Sequence, residues 1–185
     1  MLAPVQPAIN RVDFEAMPEG PPYYQLIEGQ LIMSPSPFTS HQRIVGRLYS
    51  QLFYYVQENQ TGEGFVAPLD VFLNDINVYQ PDIVFVSSAR LHQVTEKGIE
   101  GAPDLCIEVL SKSTQRFDKI TKKKVFAQVG LKHYWLVDTE TGTLTAFDLS
   151  TNTDTPSLVV TAPAVFRPEV FPGLEIRLEE LFQSL

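Results

Sequence analysis

The chain has 185 residues, 44% of them apolar and 19% charged, which suits one globular domain with a full core and excludes a disordered polymer. A net charge of −8 excludes a protein that coats nucleic acid nonspecifically, and a single cysteine, Cys106, excludes a disulfide framework or a multi-cysteine zinc site. No apolar run approaches the roughly 18 residues of a membrane span, and the first residues lack the basic and apolar regions of a secretory signal, so a soluble cytoplasmic protein is expected.

Residues 1–22 carry Pro4, Pro7, Pro18, Gly20 and Pro21 and read as an arm with little regular structure; 23–185 read as a single domain. Tyr24–Ile27 and Gln30–Met33 flank Glu28-Gly29, the signature of a tight hairpin. Ser34-Pro35-Ser36-Pro37 breaks the second strand. Thr39 followed by Gln42 has capping-box spacing, and Ile44, Leu48, Leu52 and Val56 then repeat on one face of a helix over 39–59. Gly62 and Gly64 close that unit. Three apolar runs follow: 66–73, then 81–87 after the polar turn Asn74-Asp75-Ile76-Asn77, and Leu105–Leu110 after a Gly98…Gly101 loop. Near-continuous apolar runs of this length are the pattern of strands buried on both faces. A second helix is expected over 115–129 with Gly130 as its stop. His133–Asp138 and 144–149 form a hairpin across Thr141-Gly142, and the tail carries a strand at Leu158–Thr161 and an amphipathic end at 179–182. This order predicts an α/β fold in which helices flank a central mixed β-sheet.

Two acids interrupt buried strands: Asp82 in Gln80-Pro81-Asp82-Ile83-Val84 and Glu108 in Leu105-Cys106-Ile107-Glu108-Val109-Leu110. A buried carboxylate costs several kcal/mol uncompensated; at a strand end each acid is simply solvated, whereas two facing each other share a proton or take a cation. Mg²⁺ suits such a pair, because it is held by one or two carboxylates plus waters and phosphate oxygens. Lys122 shares a helical stripe with Val125, Phe126 and Val129, with Asp118 one turn earlier, so it lies on or beside the sheet-facing side. Charge is also uneven. Seven basic residues against one acid between Lys112 and Lys132 give +6 there, and the other seven against 21 acids give −14, so this is either a solvated helix face or a basic stripe on an acidic body that can meet a polyanion at one place.

Taken together, Pro81-Asp82 and Glu108-Val109-Leu110 resemble the PD-(D/E)XK nuclease signature, with Leu110 where the lysine usually stands. More specifically, the chain resembles the Uma-two family of restriction-endonuclease-like proteins. The resemblance runs through Tyr24-Gln25-Leu26-Ile27-Glu28-Gly29, Ser34-Pro35-Ser36-Pro37, His41-Gln42, Gln80-Pro81-Asp82, Gly101-Ala102-Pro103-Asp104-Leu105, Glu108-Val109-Leu110-Ser111, Ser113-Thr114, Asp118…Lys122, Tyr134-Trp135-Leu136-Val137-Asp138 and Phe171-Pro172-Gly173-Leu174. It departs from the family pattern at Lys112, where proline is usual, and at Ile120, often glycine.

The resemblance implies a restriction-endonuclease-like fold and metal-dependent hydrolysis of phosphodiester bonds. Asp82, Glu108 and Lys122 would be catalytic, with the strand lysine replaced by one from the following helix. Asp82, Glu108 and the Val109 carbonyl would hold Mg²⁺ or Mn²⁺, and Arg116, Lys119 and Lys123 would contact nucleic-acid phosphates, of DNA in the first instance. His41, Asp70 and Glu28 are secondary candidates: His41 as a helix residue one turn before Ile44 and Val45, Asp70 as a third acid, Glu28 chiefly as a turn residue. Cys106, Tyr134 and Trp135 read as core residues, which leaves little for a cysteine hydrolase. A homodimer is expected for a small domain that cuts a duplex. A non-catalytic binding or regulatory module on the same fold is the alternative.

Overall fold

The computed structural model describes residues 8–18, 20–111 and 115–183. Its centre is a six-stranded mixed sheet in the order β11-β10-β9-β8-β6-β3. These strands are β3 (Gly62–Val66), β6 (Ile83–Ser87), β8 (Leu105–Leu110), β9 (His133–Asp138), β10 (Thr143–Asp148) and β11 (Leu158–Thr161). Only β8 and β9 run parallel; the other pairs are antiparallel. Strand alternation divides their side chains between two cores. Ile83, Phe85, Leu105, Ile107, Val109, Trp135 and Val137 enter one core, while Val84, Val86, Cys106, Leu110, Tyr134 and Leu136 enter the other.

Helix α2 (Thr39–Asn59) covers the first face with Ile44, Val45, Leu48, Leu52 and Val56. Each such buried side chain contributes about 1.5–3 kcal/mol relative to exposure. The residues that close this layer come from the C-terminal part, Phe166, Phe171, Ile176, Leu178 and Leu181; they lie in or beside β12 (Val165–Phe166), β13 (Ile176–Arg177) and α4 (Leu178–Phe182). The second face receives α3 (Lys123–Gln128), through Val125 and Phe126, and a second sheet in the order β2-β1-β5-β4-β7. That sheet comprises β1 (Tyr24–Ile27), β2 (Gln30–Met33), β4 (Val71–Asn74), β5 (Asn77–Tyr79) and β7 (Ile99–Glu100). The β1–β2 turn is the expected two-residue one: Glu28 and Gly29 both have positive φ, 49° and 77°, as a type I′ turn requires.

Several expectations need correction. The N-terminal arm contains a helix, α1 (Arg11–Glu15), capped by a reciprocal box between Asn10 and Asp13. Ile9 and Phe14 pack on Leu26, Phe72 and Val78, and Arg11 makes a two-pronged pair with Glu100 while lying over the Phe72 ring. Helix α2 begins at Thr39 with Phe38 as its N-cap and no side-chain cap bond, so Thr39 does not form a capping box. The run 66–73 is not one strand: it spans the end of β3, a loop through Pro68, and the start of β4. Gly62 and Gly64 lie in β3 rather than closing the helical unit, and Asn74–Asn77 joins β4 to β5. The second helix is divided, with a π-helical stretch at Phe117–Lys122 before α3, which gives way to Gly130 at φ +84°. Lys112, Ser113 and Thr114 lie outside the described residues.

Candidate active site

The pairing of β6 with β8 ends with Ile83 opposite Ile107, and Asp82 and Glu108 are the next residues beyond that rung. Glu108 has the parity of Cys106 and Leu110, so it points to the face where the helical segment lies, and it is 4% exposed. Asp82 stands just outside β6, at the strand's open end. There its Oδ2 accepts the Val109 N–H at 2.7 Å and lies 3.2 Å from His41 Nε2 in the first turn of α2. The carboxylate thus links the sheet edge to the helix layer above it.

Lys122 arrives from the opposite layer. Its ammonium donates to Glu108 Oε1 at 2.7 Å and pairs with Asp118 Oδ1 at 3.0 Å, and all three side chains are buried. Asp118 Oδ1 meets the ammonium as an ion pair four residues away on the same helical segment. Asp118 and Lys122 are the two buried residues of the π-helical stretch, and the Tyr134 hydroxyl of β9 pins that stretch by donating to the Asp118 carbonyl at 3.0 Å. π-Helical turns recur at functional sites because they redirect side chains that a regular helix would place elsewhere. The Tyr79 ring lies 5.8 Å from the Lys122 ammonium.

The electrostatics follow from burial and charge count. Burial pushes the Glu108 carboxyl well up; Lys122 opposes this, and Asp118 and Asp82 add to it. For Lys122, burial works against the ammonium, yet Glu108 and Asp118 outweigh it and hold the lysine charged. His41 is held above its ordinary value: burial opposes the proton, while the bond and charge of Asp82 and a bond to the Val109 backbone favour it. Three carboxyl groups therefore surround one ammonium and one imidazole.

The sequence-derived candidates divide clearly. Asp82, Glu108, Lys122, Val109 and His41 are brought together. Asp70 is not part of this group: it precedes β4, and its Oδ1 accepts from Gln80 Nε2 at 2.8 Å. Glu28 is an exposed turn residue whose N–H donates to Asn77 Oδ1. Arg116 and Lys119 are exposed on the same helical segment; Lys119 donates to Gln115 Oε1 and lies 3.9 Å from Asp138 Oδ2. Lys123 is half-buried, its ammonium 4.5 Å from the centre of the Phe147 ring. Cys106 is fully buried with its thiol pushed up by burial, which makes it a core residue. Tyr134 and Trp135 are core residues as well. Sequence reasoning placed Asp118 one turn before Lys122 but did not count it in the site, although that four-residue spacing is the signal for the pair.

Two comparisons match this chain. The solved structure of a protein described as a "putative nuclease belonging to DUF820" from Anabaena variabilis ATCC 29413 superposes with a TM-score of 0.78 at 23% identity, covering 94% of this chain and 97% of that one. It shows that the two share a fold. None of the curated proteins matches the sequence. The model of the Uma2 (Uma-two) family, described as "Putative restriction endonuclease", matches residues 11–179. The chain belongs to the Uma2 family of restriction-endonuclease-like nucleases.

Proposed function

We propose that this protein is a metal-dependent endonuclease whose PD-(D/E)XK lysine is supplied by the helical segment after β8. One observation carries the reading: Lys122 reaches Glu108 from outside the strand, and Asp82 and Glu108 both adjoin the last rung of β6 and β8. Among the described residues no group of three or more His, Cys, Asp or Glu side chains is gathered as a metal cage. The donor set fits a hard cation of another kind, because Mg²⁺ and Mn²⁺ are satisfied by two carboxylates, a backbone carbonyl and waters. Asp82, Glu108 and the Val109 carbonyl would hold it, and a cation would offset the burial that pushes the Glu108 carboxyl up. When bound, the ion supplies Lewis-acid charge and a more acidic water.

The chain's own groups have separable tasks. Lys122 holds the attacking water or the developing phosphoryl charge, and a preorganised ammonium in a dry site is worth more there than in water. Asp118 keeps that ammonium charged and aimed, and the Val109 N–H and His41 fix the orientation of Asp82. Arg116, Lys119 and Lys123 would meet flanking phosphates, which position the strand without reading its sequence. Cutting both strands of a duplex calls for two sites, so a homodimer belongs to the duplex form of this reading. The net −8 favours a second reading, a binding module without turnover.

Cleavage of supercoiled, linear and single-stranded DNA and of RNA with Mg²⁺ or Mn²⁺ separates the two. Activity that needs metal and falls about a hundredfold or more in Asp82→Asn, Glu108→Gln and Lys122→Met is expected. Activity that survives all three substitutions overturns the assigned site, and none in the wild type favours the module.

A further inference from the structure

A cavity of about 250 Å³ opens beside the site, and His41 belongs to both: its Nε2 faces Asp82 while its ring lines the cavity. The wall lies between the ends of β8 and β9 and the start of α2. It carries two carboxylates, Asp138 and Glu140, which accept hydrogen bonds, and Asp138 Oδ2 lies 3.9 Å from the Lys119 ammonium. Asp138 Oδ1 is held in place by the N–H groups of Glu140 and Thr141. Phe38 lines it too, a large apolar ring left 77% exposed and without a ring–ring contact among the described residues. Ser40 and Gln115 add hydrogen-bonding groups. The volume lies below the roughly 300–1,000 Å³ of drug-sized sites, which suits one ring system and excludes a duplex.

A flat, uncharged, hydrogen-bonding ring fits all of these features together. We infer that this cavity is a nucleobase subsite, in which a base of the strand being cut stacks on Phe38 next to the Asp82–Glu108–Lys122 centre. A paired base inside a duplex cannot enter it, so the preferred substrate is single-stranded or locally frayed nucleic acid. The inference deepens the nuclease reading and depends on it only for the claim that the bound strand is the one cut. An aromatic platform of this kind is sequence-tolerant, because every base presents a π face.

The test uses a single-stranded DNA oligonucleotide carrying 2-aminopurine, with the same sequence as a duplex for comparison, in EDTA so that binding is read without turnover. Stacking on Phe38 quenches the fluorescence of the single strand. Phe38→Ala weakens its binding about 5- to 140-fold, the equivalent of about 1–3 kcal/mol per stacked base, and Phe38→Trp restores it. The duplex binds more weakly and ignores both substitutions. Because Phe38 is exposed, unchanged melting of Phe38→Ala shows that folding is not the cause. Single-strand binding that is absent in the wild type, or equal in wild type and Phe38→Ala, overturns the subsite. Phe38-dependent binding by a protein that cleaves nothing with Mg²⁺ or Mn²⁺ keeps the subsite and removes the nuclease reading, so the two failures are distinct.

Discussion

Lys122→Met is the most informative single perturbation, because it removes a buried charge while keeping the length of the side chain. In the wild type the ammonium lies 2.7 Å from Glu108 and 3.0 Å from Asp118, and the three side chains are 4%, 5% and 2% exposed. Taking out one partner of a buried pair leaves the other charge uncompensated, at a cost of about 3–5 kcal/mol. That is a large part of a total stability of about 5–15 kcal/mol. At about 2–4 °C per kcal/mol for a chain of this size, the melting temperature falls by about 6–20 °C. The loss depends on pH with a definite sign. The Glu108 carboxyl is already pushed up, and without Lys122 it rises further, so the folded variant binds more protons than its unfolded chain. Its stability then declines as pH rises above about 4.3, the ordinary glutamate value, and its deficit narrows in acid. Urea unfolding from about pH 5 to pH 8, with the slope of the transition checked for constancy, measures this. The apolar triple variant Lys122→Met, Glu108→Met, Asp118→Leu recovers about 2 kcal/mol or more of the loss, since apolar residues of similar volume escape the desolvation cost. A Lys122→Met protein within about 1 kcal/mol of wild type, or a triple variant no more stable than the single, refutes the account of a charge held by its two carboxylates.

Two further outcomes follow from the same geometry. If Asp82 and Glu108 hold a divalent ion, Mg²⁺ at about a hundred times its dissociation constant stabilises the wild type by about 2.7 kcal/mol, seen as a melting shift of about 5–11 °C. Asp82→Asn and Glu108→Gln lose that shift, and an equal shift in all three proteins places the ion elsewhere. Asp104 accepts from the Ser87 N–H at 2.8 Å and from Arg90 at 3.2 Å; burial raises its carboxyl, but these partners outweigh it and hold it below its ordinary 3.8. The stability it contributes is therefore full above about pH 4 and is lost as pH falls through the depressed value. Denaturation of wild type against Asp104→Asn shows a gap of about 1–3 kcal/mol at neutral pH that closes toward about pH 3; a gap that persists in acid contradicts the assignment.

The parts of the fold written in strong periodic patterns were legible in the sequence. Ile44, Leu48, Leu52 and Val56 marked the face of α2, and the continuous apolar runs of β8 and β9 marked strands covered on both sides. What failed was local and had physical causes. The run 66–73 looked like one strand, but Pro68 has no N–H for a ladder, and the chain leaves the central sheet there to join the second. Asn77–Tyr79 is too short to announce itself, although all three residues are buried in β5. Thr39 had the right neighbours for a cap, yet cap geometry depends on one backbone turn that spacing does not fix. For the site, the two acids were visible because charge inside an apolar run is costly. The basic residues around Lys122 were not separable by composition: Lys119 and Lys123 look alike in sequence, but one is exposed near Asp138 and the other lies against Phe147.

If Lys122 is the lysine of the proposed nuclease site, its place in the helical layer has a structural consequence of its own. A lysine at position 110 would project from the rigid strand that carries Glu108, on the same face two residues on. Leu110 instead packs into the core that receives Val125 and Phe126, so apolar packing occupies that place and the charge must come from the helical layer. A group delivered from a second layer is only as well positioned as that layer is anchored. Here the anchoring is explicit: the Tyr134 hydroxyl holds the Asp118 carbonyl, Asp118 holds the Lys122 ammonium, and Val125 with Phe126 fixes the helix on the sheet. The same step that moves the charge off the strand makes Asp118 and Tyr134 part of its support, and explains why two such polar groups are buried in an otherwise apolar interface.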